Sequence, residues 1–204
     1  MGKASRLIGL FSNNRKHSGC RICYILMGSN RCLALEKDNP YYCPYAGSEC
    51  SIFRNISELV PHLKKDHNVD MHVGNEFNHR YVQLNSHEME NEKRMSLIVS
   101  CYGRKFCYHF EAFNMGITPS YIAFLQLIGN ETDAKKFLYT LEISGNGRKM
   151  TWGGVPKSIR DSTQNVRDNL DGLVIPRNLC LHFLDGNDQQ LELELQGRIY
   201  RYEF

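Results

Sequence analysis

From Met95 to Tyr200 the chain is a succession of short apolar segments cut by turn chemistry: "MSLIVSCYG", "KFCYHFEAFN", "SYIAFLQLIG", "FLYTLEISG", "RKMTWGG", "GLVIP", "LCLHFLDG" and "QLELELQGRIY". Tyr102-Gly103-Arg104, Gly145-Asn146-Gly147 and Asp185-Gly186-Asn187 separate several of them, and dipeptides of this kind mark hairpins. Seven or eight strands at this spacing predict an antiparallel sandwich or barrel. The strict alternation of Leu191-Glu192-Leu193-Glu194-Leu195 puts leucines on a core face and glutamates in water. "SYIAFLQLIG" is apolar on both faces, as a central strand covered on both sides would be. A short helix is expected after it, with Asn130 as N-cap and Glu131 and Asp133 in the first turn, where the helix dipole favours acids. The polar stretch 157–170 suits another helical turn or two.

Upstream the chemistry changes. Five of the eight cysteines fall within residues 20–50. "CPYAGSECSIFRNISELVPHLKKDH" supplies Cys43, Cys50, His62 and His67, spaced Cys-x6-Cys-x11-His-x4-His. Two thiolates and two imidazoles are the ligand set of a closed, structural zinc site, which leaves no open position for activating water. The segment "ISELVPHLKKDH" reads as a helix with Ile56, Leu59, Val60 and Leu63 on one side. Its two histidines are five apart, so the last turn must loosen for both to reach one ion. One structural Zn2+ is expected, and it would let a mini-domain of this size fold. A second set, His17, Cys20, Cys23 and Cys32, can be drawn but has no apolar pattern around it. Cys101, Cys107 and Cys180 lie in predicted strands and read as small core residues. His109 and His182, also in predicted strands, lack a nucleophile beside them, and no catalytic set emerges.

Charge narrows the function classes. Residues 1–50 carry seven Lys/Arg against three acids, whereas residues 51–204 carry eighteen against nineteen. Such a balanced body argues against a nucleic-acid-binding role, for which Lys64 and Lys65 on the finger helix are the only local support. No apolar run approaches the roughly 18 residues a membrane span needs, and Met1–Phe11 is too short in apolar residues for a secretory signal. The expectation is therefore an intracellular protein, with no membrane partner, whose cysteines serve as metal ligands or buried thiols.

The residues that carry a family resemblance are "CPYAGSEC" (43–50), "HLKKDHNVDMHVG" (62–74), "FNHRYV" (77–82), "HFEAF" (109–113), "YIAFLQLIG" (121–129), "GRKMTWGGVPKSIRDS" (147–162) and "GRIY" (197–200). On these the chain resembles the plant branch of the seven in absentia (SINA) family. The resemblance implies a mainly β fold: an eight-stranded antiparallel TRAF-like β-sandwich over residues 71–204, preceded by a small Cys2His2 zinc finger over residues 39–70. It also implies a part in ubiquitin-dependent protein degradation, in cytoplasm and nucleus. Residues 1–19 have no period and are expected to be disordered.

Family members are expected to carry a RING that recruits the ubiquitin-charged E2, then two zinc fingers, then the sandwich that holds substrates and dimerises. Here "CRICYILMGSNRCLALEK" resembles a RING exit, so residues 20–38 read as a remnant in which Cys20 and Cys23 are the last of eight ligands. After Lys37 the sequence passes directly to "NPYYCPYAGSEC", without a first finger. The resemblance thus implies a homologue without intrinsic ligase activity that binds substrates and full-length SINA-type E3 ligases, as a homodimer or heterodimer. An active ligase with an unconventional E2 contact and a zinc-finger nucleic-acid binder are the alternatives, and no nucleic-acid partner is expected.

In relatives a substrate peptide adds as a strand beside the segment after the last zinc histidine and packs on a tryptophan in the first sandwich strand. Main-chain bonds would supply affinity and side-chain pockets selectivity. The corresponding residues here are Met71 and Val73, with Lys93 and Arg94 at the start of the first strand. Arg94 stands at the tryptophan position, which would weaken an apolar contact; it reads equally as an ordinary solvated residue.

Overall fold

A computed structural model describes residues 40–45, 50–83, 93–184 and 191–202. In chain order its strands are β1 (Tyr41–Tyr42), β2 (Phe53–Arg54), β3 (Asp70–Val73), β4 (Glu76–Gln83), β5 (Lys93–Cys101), β6 (Arg104–Met115), β7 (Thr118–Leu127), β8 (Phe137–Gly145), β9 (Arg148–Gly154), β10 (Lys157–Ser158), β11 (Leu173–Pro176) and β12 (Leu191–Arg201). The helices are α1 (Ile56–Asp66), α2 (Glu131–Ala134), α3 (Thr163–Asp168) and α4 (Arg177–Cys180).

The hairpins form where the turn dipeptides stand. Tyr102 and Gly103 between β5 and β6, and Asn146 and Gly147 between β8 and β9, all have positive φ (51°, 69°, 47° and 69°). Two successive left-handed residues match the right-handed twist of the flanking strands, and Asn-Gly is the sequence that adopts them most readily. The Asp185-Gly186-Asn187 turn lies outside the described residues.

Two sheets result. In the first, β10, β7, β6, β5 and β3 run side by side and β11 also pairs with β7; in the second the order is β4, β12, β8, β9. Most pairings are antiparallel, but β3 runs parallel to β5 and β10 parallel to β7. The core between the sheets follows the period of two. Phe106, Tyr108, Phe110 and Ala112 of β6 and Tyr121, Ala123, Leu125 and Leu127 of β7 meet Leu191, Leu193, Leu195 and Ile199 of β12. The alternation read in "LELEL" is the alternation observed.

The other face of the first sheet is also covered, which is why β7 is buried from Ser120 to Leu127. At one end Ile122 and Phe124 pack on Val166 of α3. At the other, Met95, Ile98 and Cys107 form a cluster with Leu59, Val60 and Leu63 of α1, Tyr41 and Val69. The finger helix therefore closes its apolar side against the sheet, and residues from Asp38 onward form a single unit. Asn130 caps α2 as expected, its Oδ1 accepting from the Asp133 N–H at 2.7 Å, and residues 157–170 hold α3, capped by Ser162.

One segment departs from the sequence reading. "LCLHFLDG" is not a strand: α4 runs into a 3-10 turn over Leu181–Phe183, so Cys180 and His182 sit on helical backbone. Leu179, Cys180, Phe183 and Leu184 all pack on the core. Their spacing of one, four and five residues is helical, and Leu181, which alternation would bury, is exposed. Pro176, with φ fixed near helical values, starts the turn.

Candidate metal centre

Strand β1 and the residues after it carry Cys43; Cys50 precedes β2; α1 carries His62; His67 ends α1. Leu59, Val60 and Leu63 turn inward on α1, and this sets His62 on the adjoining side, facing the two cysteines. The helix stops at Asp66. His67 has left helical backbone (φ −113°, ψ 0°) and Asn68 has φ of 52°. The Val69 N–H then reaches back to the Leu63 carbonyl at 3.1 Å, a span of six residues where a helix would use four. This loosened turn is what brings a histidine five residues on to the same point.

The four ligand atoms of Cys43, Cys50, His62 and His67 lie within 4.8 Å of one another. Cys43 Sγ is 3.4 Å from His67 Nε2, Cys50 Sγ is 3.4 Å from His62 Nε2, and the two Nε2 atoms are 3.2 Å apart. Tetrahedral zinc, with Zn–S near 2.3 Å and Zn–N near 2.0–2.1 Å, would hold S and N about 3.6 Å apart and two nitrogens about 3.3 Å apart. The donor set fits a tetrahedral ion in type and in spacing. Burial and the neighbouring Cys50 push the Cys43 thiol up to about 12, so without a cation the Cys43 thiol favours its protonated form. Burial and the nearby His62 hold His67 below its ordinary value, in the neutral state a metal ligand requires.

Neighbours fix the rings. His62 Nδ1 donates to Asp66 Oδ2 at 2.7 Å, leaving Nε2 free to point at the cysteines. The His67 ring stacks on Tyr45, with centroids 4.2 Å apart and planes 12° from parallel. Arg160, in the loop after β10, lies over the Tyr41 ring at 4.2 Å and clamps the start of the finger to the sandwich. None of these partners was anticipated from sequence. Asp66 alone had a readable signal, its i+4 spacing from a candidate ligand on a predicted helix.

The alternative set His17, Cys20, Cys23 and Cys32, the 1–19 segment and the 20–38 remnant lie outside the described residues. Cys101 and Cys107 are buried in strands as expected. His109 is fully buried in β6, stacked on Phe124 with centroids 4.7 Å apart.

The proposed partner edge is laid out by the same turn. Three residues after His67, β3 begins, and among the described residues it lies at one edge of the first sheet. Met71 and Val73 are 39% and 76% exposed. Asp70 pairs with Leu97 and Val73 with Ser100, so β3 covers only the second half of β5. Lys93 and Arg94 lie in the first half, opposite Glu111 and Phe110 of β6; their side chains are outside the described set. A bulge at Ser96 separates the halves. There a groove of about 740 Å³ opens between Asn68, Asp70, Met95, Ser96, Arg80 and Val82.

Two family descriptions match the chain: "Sina, zinc finger" over residues 11–79 and "Sina, TRAF-like domain" over residues 99–196. The E3 ubiquitin-protein ligase SINAT2 of Arabidopsis thaliana is 47% identical over 93% of this chain and 72% of its own length. This chain belongs to the SINA family. The E3 ubiquitin-protein ligase DIS1 of Oryza sativa subsp. japonica is 46% identical over 92% of this SINA chain and 73% of itself. The probable inactive E3 ubiquitin-protein ligase SINAT6 of Arabidopsis thaliana is 46% identical over 81% and 78% respectively. The mainly β sandwich is thus the TRAF-like domain of a SINA protein. Its four-ligand cluster sits inside the zinc-finger match, with a donor set suited to zinc. The SINAT2 alignment spans 222 positions, more than the 204 residues of this chain, so SINAT2 has residues with no counterpart here. The SINAT6 alignment, at 168 positions, is not lengthened in this way.

Proposed function

We propose that this SINA protein has no ligase activity of its own and regulates the ubiquitin-dependent degradation directed by active relatives. It binds their substrates, or pairs with full-length SINA-type ligases, and acts by competition or heterodimerisation. The observation that carries this reading is a TRAF-like sandwich whose β3 edge is unpaired among the described residues, in a chain whose sequence passes from Lys37 directly to the Cys43 finger. The even alignment with a relative named as probably inactive supports it.

In this reading one zinc per chain is held by Cys43, Cys50, His62 and His67, a closed set with no position for substrate or water. The partner strand lies along β3, with Met71 and Val73 facing it and Lys93 and Arg94 at the far end of the same edge. A charged residue in place of an aromatic wall selects a more polar peptide there. The protein works in cytoplasm and nucleus, where the active ligases and their targets meet it.

Two measurements test the proposal. The purified chain, mixed with E1, a panel of E2 enzymes, ubiquitin and ATP, is expected to form no self-conjugates, while SINAT2 in the same mixture does. Added to SINAT2, it is expected to co-purify with it or to slow ubiquitin transfer to a shared target. Self-conjugation by the chain alone, or failure to associate with both ligase and target, overturns it.

A further inference from the structure

We infer that the four-ligand centre orders the β3 edge, so that the finger sets whether this protein presents a strand for a partner to pair with. Little of β3 is held by β3 itself. It has four residues, pairs along one side only among the described residues, and leaves Asp70, Met71 and Val73 exposed. One bond beyond its end, from the Gly74 N–H to the Ser100 carbonyl at 3.0 Å, adds to the ladder. A short edge strand with so little apolar burial belongs to the low-stability end of a fold.

What fixes its start lies upstream. Val69 is 5% exposed and packs in the cluster with Leu59, Leu63, Met95 and Ile98. Its N–H closes the loosened turn on Leu63. That turn exists because His67 leaves the helix to face Cys43 and His62, and Asn68 takes a left-handed conformation directly behind it. His67 is therefore both a ligand and the last fixed point before the strand, three residues from Asp70. With an ion in place the His67 ring is tethered to Cys43 on another segment. With no ion, the ring keeps the stack on Tyr45 and its weak contacts with Cys43 and His62 but loses the coordinate bond that joins them, and the turn is freer to rewind into α1 or to extend. Either change shifts the direction in which the chain enters β3.

Binding sites joined in this way are linked reciprocally: a partner that pairs with β3 tightens metal binding by the factor by which the metal tightens partner binding. That consequence rests on the edge-docking reading of the previous section. The ordering of β3 does not, since it concerns the chain alone.

Hydrogen exchange on the full chain tests the inference, with Zn2+ itself as the ligand. Chelation is expected to lower protection of the amides of residues 70–74 by about tenfold or more, while those of β6 and β7 keep theirs within about twofold. His67→Ala should reproduce the chelated pattern. His67→Cys, which keeps four zinc-competent donors, should restore protection when zinc is added. Unchanged protection at 70–74 after chelation overturns the inference, because β5 alone then holds the strand. Equal loss from β6 and β7 overturns it too, because the ion then supports the whole fold and not this edge. If the edge loosens as expected but no partner strand binds there, the docking reading fails and the coupling stands.

Discussion

The imidazole of His62 is held from both sides: Nδ1 donates to Asp66 Oδ2 at 2.7 Å, and Nε2 faces Cys50 Sγ at 3.4 Å. A ligand histidine with its second nitrogen bonded to a carboxylate has one tautomer and one orientation, and is a better base toward the ion. Asp66 is the only member of this chain of contacts that lies well in solvent, with its side chain 61% exposed.

Removing that carboxylate should loosen metal without abolishing it. Partners of this kind are worth about 10–100-fold in affinity, and solvent at Asp66 puts the effect near about tenfold. Asp66→Ala is expected to release zinc to a competing chelator at about one-tenth the chelator concentration the wild type needs, with one zinc per chain at saturation in both. A Cys43→Ser chain should retain none.

His109 makes stability fall in acid. It is fully buried, neither ring nitrogen has a partner among the described residues, and burial lowers its pKa from an ordinary 6.5 to about 3. The folded form stays neutral while the unfolded chain takes up a proton below about 6.5. This stabilisation is complete above that pH and is lost as pH falls toward about 3, at up to about 1.4 kcal/mol per pH unit. His79, lowered to about 4 by burial, acts in the same direction. His109→Phe, which keeps a ring against Phe124, should lose part of the acid slope in urea titrations between pH 4 and 6.5. At pH 7 it should be no less stable than wild type, since it also removes two unbonded polar atoms.

Arg167 of α3 reaches Glu111 of β6 at 3.4 Å, with Glu111 1% and Arg167 12% exposed on their side chains. Breaking a buried pair leaves a charge in the interior, at a cost of about 3–5 kcal/mol. Arg167→Met should therefore lower the urea midpoint far more than the double change Glu111→Gln with Arg167→Met. A double variant as unstable as the single one would mean that packing, not charge, is at stake.

Gly197 faces inward on β12, paired with Phe77 of β4, and a Cβ there would fall on the Phe77 ring. Phe77 is 4% exposed and cannot swing into solvent without opening the core. Gly197→Ala should destabilise by about 1–3 kcal/mol, read as a lower thermal midpoint. Adding Phe77→Leu should recover part of the loss.

The sandwich was legible because its signals are local. Leucines two apart in "LELEL" and Asn-Gly at a hairpin each fix backbone or face by themselves, and Asn130 caps its helix within three residues. The ligands were legible for a similar reason: four soft donors at finger spacing have few other uses. Apolar density without a clear period suggests a strand at Leu179–Leu184, where the one-four-five spacing of the core residues is helical. The parallel pairings of β3 and β10 left no trace, because a short strand carries no mark of the strand it will join. Tyr45 and Arg160 act through contacts between segments far apart in the chain, whereas Asp66 meets His62 within one turn of the same helix.

Leu63 falls within the zinc-finger match and Cys107 within the TRAF-like match, yet both belong to one buried cluster with Val69 and Ile98. A recombination event that carried the finger away from the sheet would strand an apolar face on each product. Exchange of modules is open to proteins whose domains touch lightly; here the shared cluster makes finger and sandwich one unit of folding.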